Sequence, residues 1–271
     1  MNFVELLKYI FLGFIQGFTE TIPVSSSGHL MIFKRLLGLE VDFDTLAVVT
    51  NFGSLIAIII IFRKDILDLI KCFFGYLKTK KKEYHDGYKY CWLIVLGCIP
   101  AGLMGLVVSK LDLFAKIENN IKIVGGSLLI TALLLFIIRN FKGKKGDYDI
   151  TPKNALMVGL FQILGLFPGI SRSGSTIVGG LTQGMKRDTA FKYSFMLYMP
   201  MSVAAMMLEV GNIINANITG ELLIYYLSAF IVSLVVTFLV TKWFREIVNK
   251  GKLIYFVIYC AVVGSLVILF L

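Results

Sequence analysis

The chain has 271 residues, 57% of them hydrophobic and 16% charged, with a formal net charge of +10 and a mean hydropathy of +0.81. That balance excludes a soluble globular domain and describes a polytopic membrane protein. It also excludes nucleic acid as the reason for the positive charge, because the Lys and Arg residues lie in segments between apolar spans, where the cytoplasmic leaflet accounts for them.

In chain order, residues 3–18 are apolar but short and interrupted by Glu5 and Lys8, and they run into GFTETIPVSSSGHL. No A-x-A site follows, so no signal peptide is expected. A second short piece, residues 30–37, ends at Gly38. Neither reaches the roughly 20 residues a spanning helix needs, so the two predict a re-entrant pair with a Ser-rich loop at its tip. Spans are predicted over 45–62, 90–108 and 121–138, with part of the basic stretch 63–89 forming an amphipathic surface helix. A short loop is expected up to Asn120. Residues 154–167 are short again, the turn PGISRSGST (168–176) follows, and a weak apolar piece ends at Lys186 and Arg187. Three further spans are predicted near 189–209, 221–241 and 253–271. Cys72, Cys91, Cys98 and Cys260 show neither metal nor disulfide spacing and are expected to pack as small apolar residues. His85 sits in a charged loop with no visible role.

Charge orients the chain. Segments 63–89, 139–153, 186–192 and 242–252 hold 20 of the 27 Lys and Arg residues and belong on the cytoplasmic side. This works only if the two short pairs enter from opposite faces. The fold class predicted is an all-α polytopic membrane protein, with six transmembrane helices plus four re-entrant half-helices in two inverted-topology repeats. The repeats cover about 1–138 and 154–271 of one integral membrane domain, 1–271. At a single offset of 146, Gly13 and Gln16 fall on Gly159 and Gln162, and Ser25, Ser27 and Gly28 fall on Ser171, Ser173 and Gly174. Inverted repeats with broken helices place a polar site near the middle of the bilayer.

PGISRSGST sets one Arg among hydroxyls and glycines, deep in apolar sequence. A buried guanidinium needs an anionic partner, and a phosphate or carboxylate matches its parallel donors best. Gly169 and Gly174 allow close backbone approach, and the following helix start adds positive potential. In the first half, Gln16 and Glu20 share a helix face at i and i+4. A carboxylate in an apolar helix is costly to bury. With Gln16 as a neutral oxygen ligand, Glu20 could hold Mg²⁺ or Ca²⁺; the alternative is that Glu20 pairs with Arg172 and nothing else. His29 opens a helix beside the serines and Glu20, as an active group or a hydrogen-bonded packing residue.

QGFTETIPVSSSGH together with PGISRSGST resembles the undecaprenyl pyrophosphate phosphatase family, also called bacitracin-resistance proteins, over essentially the whole chain. The resemblance implies a hydrolase of the bacterial plasma membrane that removes one phosphate from undecaprenyl pyrophosphate, so that the lipid carrier of cell-wall synthesis is reused. It implies a divalent cation, inverted repeats, a site opening to the outer face and no nucleic-acid partner, and it leaves a homo-oligomer open. Carried over by residue, Arg172 would bind pyrophosphate oxygens, with Ser171, Ser173, Thr176, Ser25 and Ser27 as neutral donors. Glu20, helped by Gln16, would bind the metal or position a nucleophile. His29 or Ser26 would be the nucleophile or proton carrier. Many members carry Glu where this chain has Gln16, which leaves Glu20 as the one carboxylate of that motif. A lipid-phosphate flippase or transporter, or a non-catalytic binder of polyprenyl phosphates, would use the same anion site.

Overall fold

A computed structural model describes residues 2–39, 43–111, 120–215 and 219–271. The expected loop before Asn120, with Lys116, lies largely outside the described residues. The described chain is helical: α1 Phe3–Thr21, α2 Ser26–Leu36, α3 Phe43–Ile61, α4 Arg63–Thr79, α5 Lys82–Leu111, α6 Ile121–Ile138, α7 Pro152–Leu164, α8 Arg172–Thr182, α9 Arg187–Asn215, α10 Gly220–Lys250 and α11 Ile254–Phe270.

Three of these, α5, α6 and α10, are long and apolar enough to cross a bilayer; α3 and α4, bent by 72° at their junction, make a fourth if counted as one span. The α11 helix is apolar but only 17 residues long. The α9 helix is 29 residues long but carries Arg187, Asp188, Lys192 and Glu209. Length and apolarity therefore support a multi-pass membrane protein with three or four such spans. The outer faces agree. Leu223, Leu227, Ile231, Val235 and Leu239 recur every four residues along α10, and all are exposed, a stripe that belongs against lipid. The α4 helix buries nothing and exposes Leu67, Ile70, Phe74 and Leu77 on one side, as the sequence predicted for an interfacial helix.

The interior is closed by small and hydroxylated residues. The α1 helix packs on α10, where an added Cβ at Gly17 would come within 2.6 Å of the Ser233 carbonyl oxygen. The α6 and α11 helices meet at Gly125 and Gly264, and α7 meets α5 at Gly159 and Gly97. Ser54 on α3 bonds Ser233 at 2.9 Å and Thr237 at 2.8 Å. Without a hydrophobic drive between helices in lipid, close backbone approach and such hydroxyl bonds hold the bundle.

The four basic segments meet. Lys192 pairs with Asp65 and with Asp147 at 3.0 Å, Arg245 grips Asp188 at 2.8 and 3.0 Å, and Arg187 reaches the Arg139 carbonyl at 3.3 Å.

Boundaries differ from expectation: α5 starts at Lys82, well before the predicted 90, and α8 starts at Arg172, inside the predicted turn 168–176. The α1 helix runs unbroken to Thr21, and the expected Ser-rich loop shrinks to residues 22–25 because Ser26 and Ser27 begin α2. Ser25 caps that helix by accepting from the Gly28 amide at 3.3 Å, and Ser171 caps α8 by accepting from Gly174 at 3.0 Å. A serine hydroxyl suits an N-cap better than a helix interior, so each serine cluster starts a helix.

Candidate active site

The two serine-capped helix starts face each other. A Cβ on Gly28 would meet the Gly169 Cα at 2.9 Å, and one on Gly174 would meet the Pro23 Cβ at 3.2 Å. Gly169 has φ +89°, which a side chain would strain as well as obstruct. Between the turns lies a cavity of about 180 Å³, lined by Ser25, Ser26 and Ser27 from one helix start and Ser171, Arg172 and Ser173 from the other. Thr19, Glu20, Asn51, Gly165 and Ile170 complete the wall. Two helix N-termini open into one small polar space, so unpaired amides and both dipoles favour an anion there.

Arg172 pairs with Glu20 through Nη2 and Oε1, and its guanidinium lies over the Tyr198 ring at 3.9 Å. Glu20 Oε2 accepts from Ser26 Oγ at 2.5 Å and from Gln16 Nε2 at 2.8 Å. An ionised carboxylate only accepts, so Gln16 turns its NH₂ toward it. Gln16 therefore stands behind Glu20 as a donor, and the two do not present neighbouring oxygen ligands in this arrangement. Among the described residues no three His, Cys, Asp or Glu side chains come together as a metal cluster. A cation here would draw on Glu20 with other oxygens; substrate phosphates and water complete such sites.

The remaining sequence-predicted residues divide. Ser171 and Ser173 bond each other at 3.2 Å, and Ser25 and Ser27 are 3.4 Å apart, all on the cavity wall. Thr176 turns away: its hydroxyl is used by the Arg172 carbonyl at 3.0 Å and Ser194 at 2.5 Å. His29 is 1% exposed and stands outside the cavity wall. Its Nδ1 lies 2.8 Å from the Ser25 carbonyl, so Nδ1 carries the proton, and Nε2 then accepts from Tyr259 Oη at 2.8 Å. Ser25 has φ +69°, an unfavourable conformation for a side chain, and the His29 bond holds its carbonyl there.

Asn51, Tyr198, Thr131 and Tyr259 were not read from the sequence. Thr131 Oγ1 accepts from the Ser171 amide at 3.1 Å and so fixes the second turn. Asn51, in VVTNFG within a predicted span, carried a signal: a polar amide inside a span is a site candidate. Tyr198, Thr131 and Tyr259 lie on distant helices and carried none.

The family model described as Bacitracin resistance protein BacA matches residues 9–266. The chain belongs to this family. It is 40% identical over 270 residues to undecaprenyl-diphosphatase 1 of Bacillus licheniformis, covering 100% of both chains. It is 41% identical to undecaprenyl-diphosphatase 1 of Bacillus cereus over 100% of this chain and 99% of the relative. With the undecaprenyl-diphosphatase of Oceanobacillus iheyensis the identity is 41% over 271 residues, 100% of this chain and 98% of the relative. Family membership thus covers the whole bundle, both serine-capped turns included.

Proposed function

We propose that the chain is a membrane phosphatase that hydrolyses undecaprenyl pyrophosphate to undecaprenyl phosphate and inorganic phosphate, returning the lipid carrier to cell-wall synthesis and conferring bacitracin resistance. The observation that carries this reading is the cavity itself, where Arg172, two helix N-termini and a Ser26–Glu20 hydrogen bond converge. Phosphoryl transfer asks mainly for positioning and neutralisation of charge. Arg172 offers a forked donor to phosphate oxygens, and Ser171, Ser173, Ser25 and Ser27 offer neutral donors around it. Glu20 is hydrogen-bonded to the Ser26 hydroxyl and acts as its base. Ser26 Oγ gives its proton to Glu20 and attacks the terminal phosphorus, the bridging P–O bond breaks, and the lipid phosphate leaves. Water then cleaves the phosphoserine to free phosphate and restore the hydroxyl. His29, bonded to the Ser25 carbonyl, holds the turn that presents Ser26. Glu20, with Gln16 behind it, would hold a divalent cation, Mg²⁺ or Ca²⁺, together with substrate oxygens. When bound, that ion neutralises pyrophosphate charge.

Six spans and two re-entrant pairs in inverted repeats remain the architecture proposed. Supporting it, α2 shifted by 146 coincides with α8, and the contacts Gly28 to Gly169 and Gly174 to Pro23 are reciprocal at that offset. The meeting of the four basic segments at one end supports a cytoplasmic face there, with the active site opening outward in the plasma membrane. The transport reading draws no separate support from the site. Purified protein given a polyprenyl pyrophosphate should release phosphate, and a chelator should stop it; absence of phosphate release with the cation supplied would overturn the reading.

A further inference from the structure

Beside the polar cavity lies a second one of about 280 Å³, walled mostly by apolar side chains of α3, α9 and the turn after α7, such as Leu55, Met206 and Leu166. The two cavities share Asn51, Gly165 and Arg172 in their walls, so they adjoin. One wall residue is out of character. Gln162, on the last turns of α7, is 1% exposed, and both Nε2 and Oε1 are buried without a hydrogen-bond partner among the described residues. A buried polar group left unpaired is disfavoured, and in a native protein it asks for a ligand or an ordered water. Gln16, its counterpart at the 146 offset, spends its amide on Glu20; Gln162 has no such carboxylate.

Resting on the phosphatase reading, we propose that Gln162 is a substrate-binding residue. Its carboxamide holds the lipid-side phosphate of a polyprenyl pyrophosphate where the apolar cavity adjoins the polar one, and the apolar cavity takes the first isoprenyl units. The terminal phosphate belongs among Ser26, Arg172 and the helix N-termini, so the lipid-side phosphate falls at the junction. Gln162 meets it there with an N–H donor that adds no charge. A neutral donor binds the remaining phosphate without an ion pair that would oppose its release. The apolar volume and its place against the polar cavity match an occupant with a charged head and a branched hydrocarbon chain.

The experiment compares wild type with Gln162→Met, which keeps the volume and removes both polar atoms, and with Gln162→Leu as a second variant should one fail to fold. Replacing an unpaired amide by an apolar group leaves or raises the thermal midpoint. Farnesyl pyrophosphate serves as substrate and farnesyl phosphate and inorganic phosphate as inhibitors. The expected result is a rise in KM and in the farnesyl phosphate inhibition constant by the same factor, about tenfold or more, with kcat and inhibition by inorganic phosphate within about twofold. Unchanged KM, or equal weakening of farnesyl phosphate and inorganic phosphate, overturns the assignment. Wild type that releases no phosphate would strike the phosphatase reading alone. Direct calorimetric binding of farnesyl phosphate to wild type and variant then still decides Gln162, tenfold weakening supporting it and equal affinity overturning it.

Discussion

The guanidinium of Arg172 and the carboxylate of Glu20, 152 residues apart in the chain, form an ion pair inside the polar cavity, with the Tyr198 ring beneath the guanidinium at 3.9 Å. The two halves of the protein thus contribute opposite charges to one site, and a planar cation fits between ring and carboxylate where a compact ammonium does not. Arg172→Lys keeps the charge and loses the fork and the stacking. The expected outcome is a loss of at least about tenfold in kcat/KM, the scale of one charged hydrogen bond. Steady-state phosphate release measures it, and retention of more than about a third of wild-type turnover would show that charge alone suffices.

His29 bonds the Ser25 carbonyl through Nδ1 and Tyr259 through Nε2, and neither nitrogen faces the cavity. A positioning residue of this kind is replaceable by another donor at the same place. His29→Asn, whose amide reaches as Nδ1 does, should keep several-fold more activity than His29→Ala. Tyr259→Phe should lose only a few-fold, because the Ser25 contact survives. Equal inactivation by Asn and Ala would instead assign His29 a proton-carrying role.

The close approach of α1 to α10 gives a stability prediction. A Cβ on Gly13 would run into the Ala229 backbone, whereas one on Gly126 in α6 meets nothing within 4 Å. Gly13→Val should destabilise by about 1–3 kcal/mol or more, the cost of overpacking. Gly126→Ala should stabilise by roughly 0.5–1 kcal/mol through helix propensity. Thermal midpoints in detergent report both signs.

Orientation is tested separately from chemistry. Single cysteines placed near residues 80 and 145, in a background free of the native cysteines, should resist a membrane-impermeant thiol reagent in sealed cells and react after permeabilisation. Labelling from the outer face in intact cells would invert the assignment.

Much of the site was legible because its chemistry is local. Ser25 and Ser171 cap helices through residues three positions on, and Glu20 with Gln16 is an i, i+4 pair, so short-range spacing sufficed. The choice between Glu20 as metal ligand and Glu20 as partner of Arg172 is not local, and the resting structure contains the ion pair. Thr176 was placed among the phosphate donors by its motif, yet its helix turns the hydroxyl onto the Arg172 carbonyl and Ser194. Tyr198, Thr131 and Tyr259 were invisible because each reaches the site from a distant helix, through side-chain bonds that no periodicity encodes. The spans were harder to count: α9 mixes charged ends with Ser and Tyr, and α11 is short.

Gln16 donates to Glu20 at 2.8 Å, and that contact fixes what two charge changes should do. Glu20→Gln removes the carboxylate, leaves Ser26 without its base and strands Arg172 in a largely enclosed place. Breaking such a pair from one side costs about 3–5 kcal/mol when fully buried, less here because the Arg172 side chain is 23% exposed. Activity should vanish at every cation concentration, since Ser26 then has no base and the site offers a hard divalent ion no anionic side-chain oxygen. Gln16→Glu sets a second carboxylate where an N–H donor stood, within hydrogen-bond distance of the first. Two anions so close must share a proton or take up a cation, so this variant should fold, stay active and reach half-maximal activity at a lower Mg²⁺ or Ca²⁺ concentration than the wild type. Titrating phosphate release against cation for the three proteins decides the matter. A midpoint that stays fixed on Gln16→Glu, with Glu20→Gln retaining a cation requirement of wild-type strength, would remove the pair as the metal site and leave Glu20 as the partner of Arg172 and Ser26.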